Sequence, residues 1–400
     1  MSEFLVQQPL TTLSHRTGTI DDMSNTEHHD TTERTKVWAS TMAGHTADAS
    51  IRTAHFGATT GPGTHEPLSR QAREQRESAH LSPGATKAIG AGNRAVEEQA
   101  DAWRTCFERD RDRILHASAF RRLSGKTQVF VFPADHQRTR LTHALEVAQV
   151  AVGVARALGL NEALTEAIAL GHDCGHGPGG HASEDALSPY LPNGYDHAVW
   201  GADVVLAPLN LCAETLDGIR NHSWSRPASA TAEGEVVAWA DRIAYVCHDF
   251  EDAEATGLVH AAELPSAVRE VCGLRRSHQI SVFMHSMMQA ATRTGRIGMG
   301  IEEADALAAF RSFNYEQIYL RPASVEQARA VIAVLRALVD RYLSRPDDLP
   351  LAQRHRAEVE GLVHTAVSYV GGMTDRFACQ QAVQLLDWPL DQLPKGVGGL

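Results

Sequence analysis

Hydrophobic and polar positions recur along this chain with the period of helices. Between Arg138 and Leu158, Leu141, Leu145, Ala148, Val152 and Ala155 follow one another at spacings of four and three, which puts them on one helical face. His143 lies off that stripe and shares its own face with Val147, Val150 and Val154. Both faces are therefore apolar, and the spacing predicts a largely buried helix whose histidine needs a partner. A second helix is expected over 161–170, where Asn161 can cap, Glu162 and Glu166 suit the first turns, and Leu164 and Ile168 share a face. A third runs from Thr231 to Asp252, with Val236, Val237, Ala240, Ile243, Ala244 and Cys247 apolar and a polar stripe at Asp241, Tyr245, His248 and Asp252.

The same spacing predicts helices over 97–123, 201–220, 325–342 and around 362–370, with a shorter one near Ser69 to His80. Lys126 to Phe132 is short, β-branched and aromatic, which predicts a strand ended by Pro133. Residues 1–95 are rich in Thr, Ser, His, Ala and Gly and show neither period, so order is expected to begin near Val96, after a mostly disordered extension. The expected fold is mainly α: an N-terminal tail over 1–95, a helical catalytic bundle over 96–260 and a helical C-terminal region over 261–400.

Composition narrows the function. The 400 residues are 43% hydrophobic and 22% charged, an ordinary globular mixture. The 6 cysteines form no Cys-x-x-Cys pair, which fits a reducing, cytoplasmic setting. Residues 1–20 show no basic segment followed by an apolar one, and no run of about 18 apolar residues occurs, so neither a leader nor a membrane role is expected. A net charge of -12 disfavours general nucleic-acid binding. From Arg104 to Arg140, however, nine basic residues face four acidic ones, and a local excess of that sign suits a small polyanion.

The stretch Gly171-His-Asp-Cys-Gly-His-Gly-Pro-Gly-Gly-His-Ala-Ser-Glu184 concentrates three histidines, two carboxylates and a run of glycines. Glycines end the preceding helix and let the chain turn back, aiming His176 and His181 at the pocket that His172 and Asp173 would line. With His143 and Asp241, the last two complete a set of two imidazoles and two carboxylates from three helices. That set suits Mn2+, Fe2+, Co2+ or Zn2+, and Mg2+ less strongly. His176 and His181 remain to bind a phosphate oxygen and to protonate a leaving oxygen. Glu184, three residues past His181, can hold that imidazole's tautomer and raise its pKa.

An ordered series of segments resembles the HD-domain metal phosphohydrolases, and more closely their deoxyguanosine triphosphate triphosphohydrolase group. These are Phe107 to His116, Phe120 to Leu123, Lys126 to Phe130, Arg138 to His143, Gly171 to Glu184, Asp241 to Tyr245, Phe313 to Glu316 and Gly372 to Arg376. The resemblance implies an almost wholly helical enzyme with one divalent metal, Mn2+ or Mg2+ first, on His143, His172, Asp173 and Asp241. It implies cleavage of a deoxynucleoside triphosphate at the α-phosphorus to deoxynucleoside and tripolyphosphate. His181 would be the catalytic acid, paired with Glu184. His176, His197, Arg140 and Tyr245 would lie along the triphosphate, and Gln128 would touch the sugar. A homo-oligomer, tetramer or hexamer, and a nucleotide activator are also implied. Two other readings remain: an HD phosphohydrolase for another nucleotide phosphoester, and a non-catalytic sensor of deoxynucleoside triphosphates.

The loop departs from the family's usual His-Pro-Pro-Phe-Gly-His-x-Gly-Glu. Gly177 stands for a proline, Gly179 for the phenylalanine and Ser183 for a glycine. The expected consequence is lost aromatic packing, more backbone freedom and a less firmly held His181.

Overall fold

The computed structural model describes residues 33–40, 43–48, 50–133 and 136–396. The chain divides at Pro67 into two units. The described part of the first holds a helical segment at 33–40 and a two-stranded antiparallel ribbon, His45–Thr46 against Arg52–Thr53. Much of the expected N-terminal tail, residues 1–32, lies outside the described residues.

The second unit is helical, and side-chain caps set many of its boundaries. Thr105 and Glu108 form a reciprocal capping box that starts the helix at Cys106, and it ends at His116. The single helix expected over 97–123 is thus shorter, followed by a separate piece, Ser118–Arg122. Asn161 accepts from the Leu164 amide to open Glu162–Gly171, and Thr231 opens Ala232–Ala255. The Arg140–Leu158 helix ends on Gly159 at φ 66°, in the left-handed region. The 201–220 stretch is broken, with a π-helical turn at Gly201–Val205, a 3-10 turn at Ala207–Leu209 and a helix at Ala213–Asn221.

Order begins before Val96. Ser69 caps the helix Arg70–His80. Ser82 donates to the Leu158 carbonyl at 2.6 Å, Thr86 to Glu233 at 2.8 Å, and Arg94 to the buried Asp110 at 2.6 Å.

Two apolar cores build this unit. The first gathers Ile114, Val147, Val150, Val154, Leu164, Ile168, Val237 and Ile243 from the Cys106–His116, Arg140–Leu158, Glu162–Gly171 and Ala232–Ala255 helices. Full burial of each such aliphatic side chain contributes about 1.5–3 kcal/mol, so the three helices that carry the expected ligands are held rigidly. The second gathers Leu187, Val334, Leu335, Leu338 and Val367, chiefly from the Pro322–Ser344 and Leu362–Gly371 helices. Cys174 belongs to the first core and Ala186 to the second. The glycine-rich stretch is the passage between them.

The strand expected over Lys126 to Phe132 does not form. Thr127 pairs with Thr139 in an isolated bridge, but its amide donates to the Asp375 carboxylate at 2.9 Å rather than to a ladder. Phe132 takes φ 52°, which no extended strand allows.

Candidate active site

His143 projects from the first turn of the Arg140–Leu158 helix, His172 and Asp173 follow the end of Glu162–Gly171, and Asp241 sits midway along Ala232–Ala255. Their ligand atoms converge. His143 Nε2 is 3.0 Å from Asp241 Oδ1 and 3.9 Å from Asp173 Oδ2. His172 Nε2 is 3.4 Å from Asp173 Oδ1 and 3.7 Å from Asp241 Oδ1.

The tautomer of His172 is set by its other nitrogen: Nδ1 lies 2.7 Å from the Ala169 carbonyl, which accepts its proton. Nε2 is then a bare lone pair, and it is buried without a hydrogen-bond partner. Burying such an atom costs about 1–3 kcal/mol, and a cation among two imidazoles and two carboxylates removes that cost. These residues therefore fit a divalent metal, with donors of the type that Mn2+, Fe2+, Co2+ and Zn2+ accept. Burial works against charge on Asp173 and Asp241, but Arg140 with His172 outweighs it at the first, and His143 with His172 at the second. Both carboxyls are held below their ordinary range, as ligands need to be.

Beside this cluster stands a wall of imidazoles. His176 Nε2 is 3.2 Å from Asp173 Oδ1, and its ring stacks on His197 with centroids 3.7 Å apart. Burial, then Arg140 and His197, pushes the His176 pKa well down. The expected pairing of Glu184 with His181 is replaced by another. Glu184 accepts hydrogen bonds from the His197 ring Nδ1 and from the His197 amide. The physical reason is the Asp196-capped turn His197–Trp200, which aims that amide and ring at Glu184. Burial opposes charge on His197, yet Glu184 and Asp173 raise its pKa, and His197 in turn holds Glu184 at about 2. His181, at the start of Ala182–Leu187, opens onto the cavity. The protein around it, then Arg140 and His197, lowers its pKa.

A cavity of about 950 Å³ covers the cluster, a size that suits a small-molecule ligand. Gln128, Arg140, His143, Asp173, His176, His181, Glu184, His197, Asp241 and Tyr245 all line it. Of the residues expected as ligands, acid or substrate contacts, His172 alone is absent from this lining.

The basic excess before Arg140 is not the cationic wall. Arg104, Arg109, Arg111, Arg113 and Arg138 are tied up in ion pairs with Asp101, Glu98, Asp112 and Glu146, as alternating signs on neighbouring turns favour. The cavity's cations are Arg140, Arg242, Arg311, Arg321 and Lys395. The Arg242 guanidinium lies 3.3 Å over the Trp224 ring, and Arg311 Nε donates to Tyr245 at 2.8 Å. The polar stripe divides too. Asp241 and Tyr245 continue into the cavity through Asp249, whereas His248 and Asp252 turn to Glu146 and Arg138. Spacing of four keeps 241, 245 and 249 together; a step of three led the sequence reading off this face.

Sequence reasoning missed His222. It follows the Ala213–Asn221 helix, its Nδ1 lies 2.8 Å from the Ile219 carbonyl, and its Nε2 is 3.2 Å from His197 Nε2. A histidine one residue past a helix end, as at His172, was the available signal.

The loop is also not free. The Gly177 amide donates to Ser183 Oγ at 3.0 Å, and that hydroxyl donates to the Gly180 carbonyl at 2.6 Å. Gly179 and Gly180 take φ of 72° and 63°, which only glycine adopts at little cost.

Comparison with known proteins agrees with this geometry. Residues 140–246 match the HD domain, and residues 297–384 the phosphohydrolase-associated domain. The deoxyguanosinetriphosphate triphosphohydrolase-like protein of Caldanaerobacter subterraneus subsp. tengcongensis is 40% identical over 316 residues, 77% of this chain and 93% of that protein. Its namesake from Clostridium perfringens is 38% identical over 299 residues, covering 71% and 87%. The one from Roseobacter denitrificans is 36% identical over 379 residues, covering 76% and 97%. No helix among the described residues is long and apolar enough to cross a membrane. A helical bundle, a buried metal-fitting cluster and relatives matched over most of their own length make the chain a member of the HD-domain phosphohydrolase family of deoxyguanosinetriphosphate triphosphohydrolase-like proteins.

Proposed function

We propose that the protein hydrolyses a deoxynucleoside triphosphate at the α-phosphorus, giving a deoxynucleoside and intact tripolyphosphate. The observation that carries this reading is a metal-fitting cluster on the wall of a cavity whose other walls hold five cations. A triphosphate is the small polyanion that such a wall suits.

His143, His172, Asp173 and Asp241 would hold the metal, Mn2+ or Mg2+ first. When bound, it supplies positive charge against phosphoryl oxygens and lowers the pKa of water. The chain's own groups do the rest. Arg140 donates to Asp173 at 2.7 Å and fixes that carboxylate, leaving part of its guanidinium toward the phosphates. His176 keeps its Nε2 proton on Asp173. His197, whose pKa Glu184 raises against burial, faces phosphate charge. His181 is the proposed proton donor to the departing 5′-oxygen, because it opens onto the cavity, where a bound triphosphate would add negative charge against the lowering by burial, Arg140 and His197. In the balanced reaction, water adds at the α-phosphorus, the bond to the 5′-oxygen breaks, and that oxygen leaves with a proton. Gln128, whose Oε1 is buried without a partner, is proposed to accept from a sugar hydroxyl, and Tyr245 to lie along the triphosphate. A homo-oligomer and a nucleotide activator belong to the same proposal, as does a cytoplasmic location.

The test is an assay of each deoxynucleoside triphosphate with Mn2+, with and without a second one as activator, following deoxynucleoside and tripolyphosphate by chromatography. Both products from wild type, and neither from Asp173→Ala, are expected. Release of pyrophosphate or orthophosphate instead would mark cleavage of a phosphoanhydride and overturn this reading; deoxynucleoside triphosphates neither bound nor cleaved would point to another nucleotide phosphoester, and tight binding without turnover to a sensor.

A further inference from the structure

The loop that carries His176 and His181 has almost no side-chain bulk of its own, and it is gripped from behind. Asp375, the first residue of the Thr374-capped helix Asp375–Leu386, takes three hydrogen bonds on one carboxylate. Its Oδ2 accepts from the Thr127 amide at 2.9 Å and the Thr127 hydroxyl at 2.6 Å, and its Oδ1 accepts from the Gly179 amide at 2.8 Å. One residue before Thr127, Lys126 Nζ donates to the His176 carbonyl and, at 3.0 Å, to the Gly371 carbonyl. Both ends of the 176–179 segment are therefore fastened to the same two pieces of chain, 126–127 and 371–375. A Cβ on Gly179 would collide with Val331 of the Pro322–Ser344 helix, so the backbone is pressed against its support.

Asp375 and Lys126 are 6% and 3% exposed and stand behind the cavity wall that Thr127 and Gly179 form. They do not reach the cavity themselves. A buried carboxylate is costly unless hydrogen-bonded, and hydrogen bonds to an ionised acceptor are about twice as strong as neutral ones. Here one of the three holds Gly179, in the segment bearing the site, and two hold Thr127, which lines the cavity beside it. We propose that Asp375 and Lys126 are positioning residues: they set the 176–179 backbone so that His176 meets Asp173 and His181 faces the cavity beside Arg140. This rests on the hydrolysis proposed above. Asp375 lies in the segment that matches the phosphohydrolase-associated domain, outside the HD match. The associated segment thus completes the HD site, and its carboxylate fastens a loop that lacks the family's aromatic anchor.

The experiment compares full-length wild type with Asp375→Asn and the milder Thr127→Val. It measures kcat, KM, Mn2+ stoichiometry and amide hydrogen exchange by mass spectrometry. Displacing a catalytic loop by about 1 Å can cost on the order of 100-fold, so Asp375→Asn should lower kcat about 10–100-fold. Its KM should stay within about 3-fold and its Mn2+ stoichiometry unchanged, because Asp375 itself does not reach the cavity or the metal-fitting cluster. Thr127→Val, which keeps the amide bond, should lower kcat about 3–10-fold. Exchange should speed over 176–183 in both variants and stay unchanged over 140–158. Wild-type kcat and wild-type exchange in Asp375→Asn overturn the proposal. So does a loss of turnover that follows loss of Mn2+ or of protection across 140–158, which marks a merely structural role. If wild type turns over no deoxynucleoside triphosphate, the hydrolase reading fails alone. The exchange arm still decides the clamp: faster exchange confined to 176–183 supports it, and unchanged exchange overturns it.

Discussion

Gly177 and Ser183 are fitted to each other. The Gly177 amide donates to Ser183 Oγ at 3.0 Å, and a Cβ on Gly177 would lie 2.6 Å from the Ser183 Cβ. Proline, the family's usual residue at 177, has no amide proton to donate and would meet that side chain. The two departures from the family pattern are therefore one change. Gly177→Pro alone is predicted to lower thermal stability and turnover, and adding Ser183→Gly to recover most of both. Contacting residues couple by about 0.5–3 kcal/mol, so the double-mutant cycle in Tm should be clearly non-additive. Additive effects would sink the idea that the two positions are matched.

The bare Nε2 of His172 predicts that metal stabilises the fold. A ligand at about 100 times its Kd adds about 2.7 kcal/mol to a state that alone can bind it. Chelated protein should melt several degrees below protein with Mn2+, and Asp241→Ala should lose that increment while folding normally without metal. Melting curves of both proteins, with and without Mn2+, check this. An equal response to Mn2+ in wild type and Asp241→Ala would place the ion elsewhere.

The convergence of His143, His172, Asp173 and Asp241 was legible in the sequence because these residues sit on or at the end of strongly periodic helices. His143 off an apolar stripe, His-Asp at a helix end and Asp241 among apolar neighbours each announce a buried polar group that needs a partner. The partner of Glu184 was not legible. Glu184 and His181 are three apart, and spacing alone joins them. The Glu184–His197 bond depends on how the Asp196-capped turn is docked, a tertiary fact. The cations were misassigned for a related reason. Charge density along 104–140 is high, but neighbouring carboxylates neutralise it, whereas Arg242 and Arg311 stand singly on distant helices and gather only in the fold. The strand at 126–132 failed because a strand needs a partner, and Thr127 found a carboxylate instead.

Arg242 is predicted to bind triphosphate through its stack on Trp224. The ring sits 3.3 Å from the guanidinium carbon, Trp224 is itself fixed by a 2.9 Å bond to the Ala238 carbonyl, and Arg242 Nε is buried without a partner. Burial lowers the Arg242 pKa, so a phosphate meets a cation already stripped of much of its water. Trp224→Leu and Arg242→Gln should each raise KM about tenfold, the loss of one charge-assisted bond, and leave Mn2+ stoichiometry unchanged. Steady-state kinetics would read it, and an unaltered KM in both variants would remove Arg242 from the phosphate path.

Asp249 gives the pH prediction. It is buried, accepts from the Tyr319 hydroxyl at 2.6 Å, and has its pKa pushed up to about 7 by burial, with Asp252 adding to the rise against Tyr319, His143 and Arg140. The folded state thus holds a proton that the unfolded chain releases near pH 4. The stability this contributes is fully present below about pH 4 and is lost as pH rises through about 7, on the order of 4 kcal/mol at most. Asp249→Asn keeps an acceptor for Tyr319 and cannot ionise. In chelated protein, the Tm of Asp249→Asn minus that of wild type should therefore grow as pH rises from about 4 to 8. Melting curves that run parallel across that range would show that the Asp249 carboxyl ionises as readily folded as unfolded.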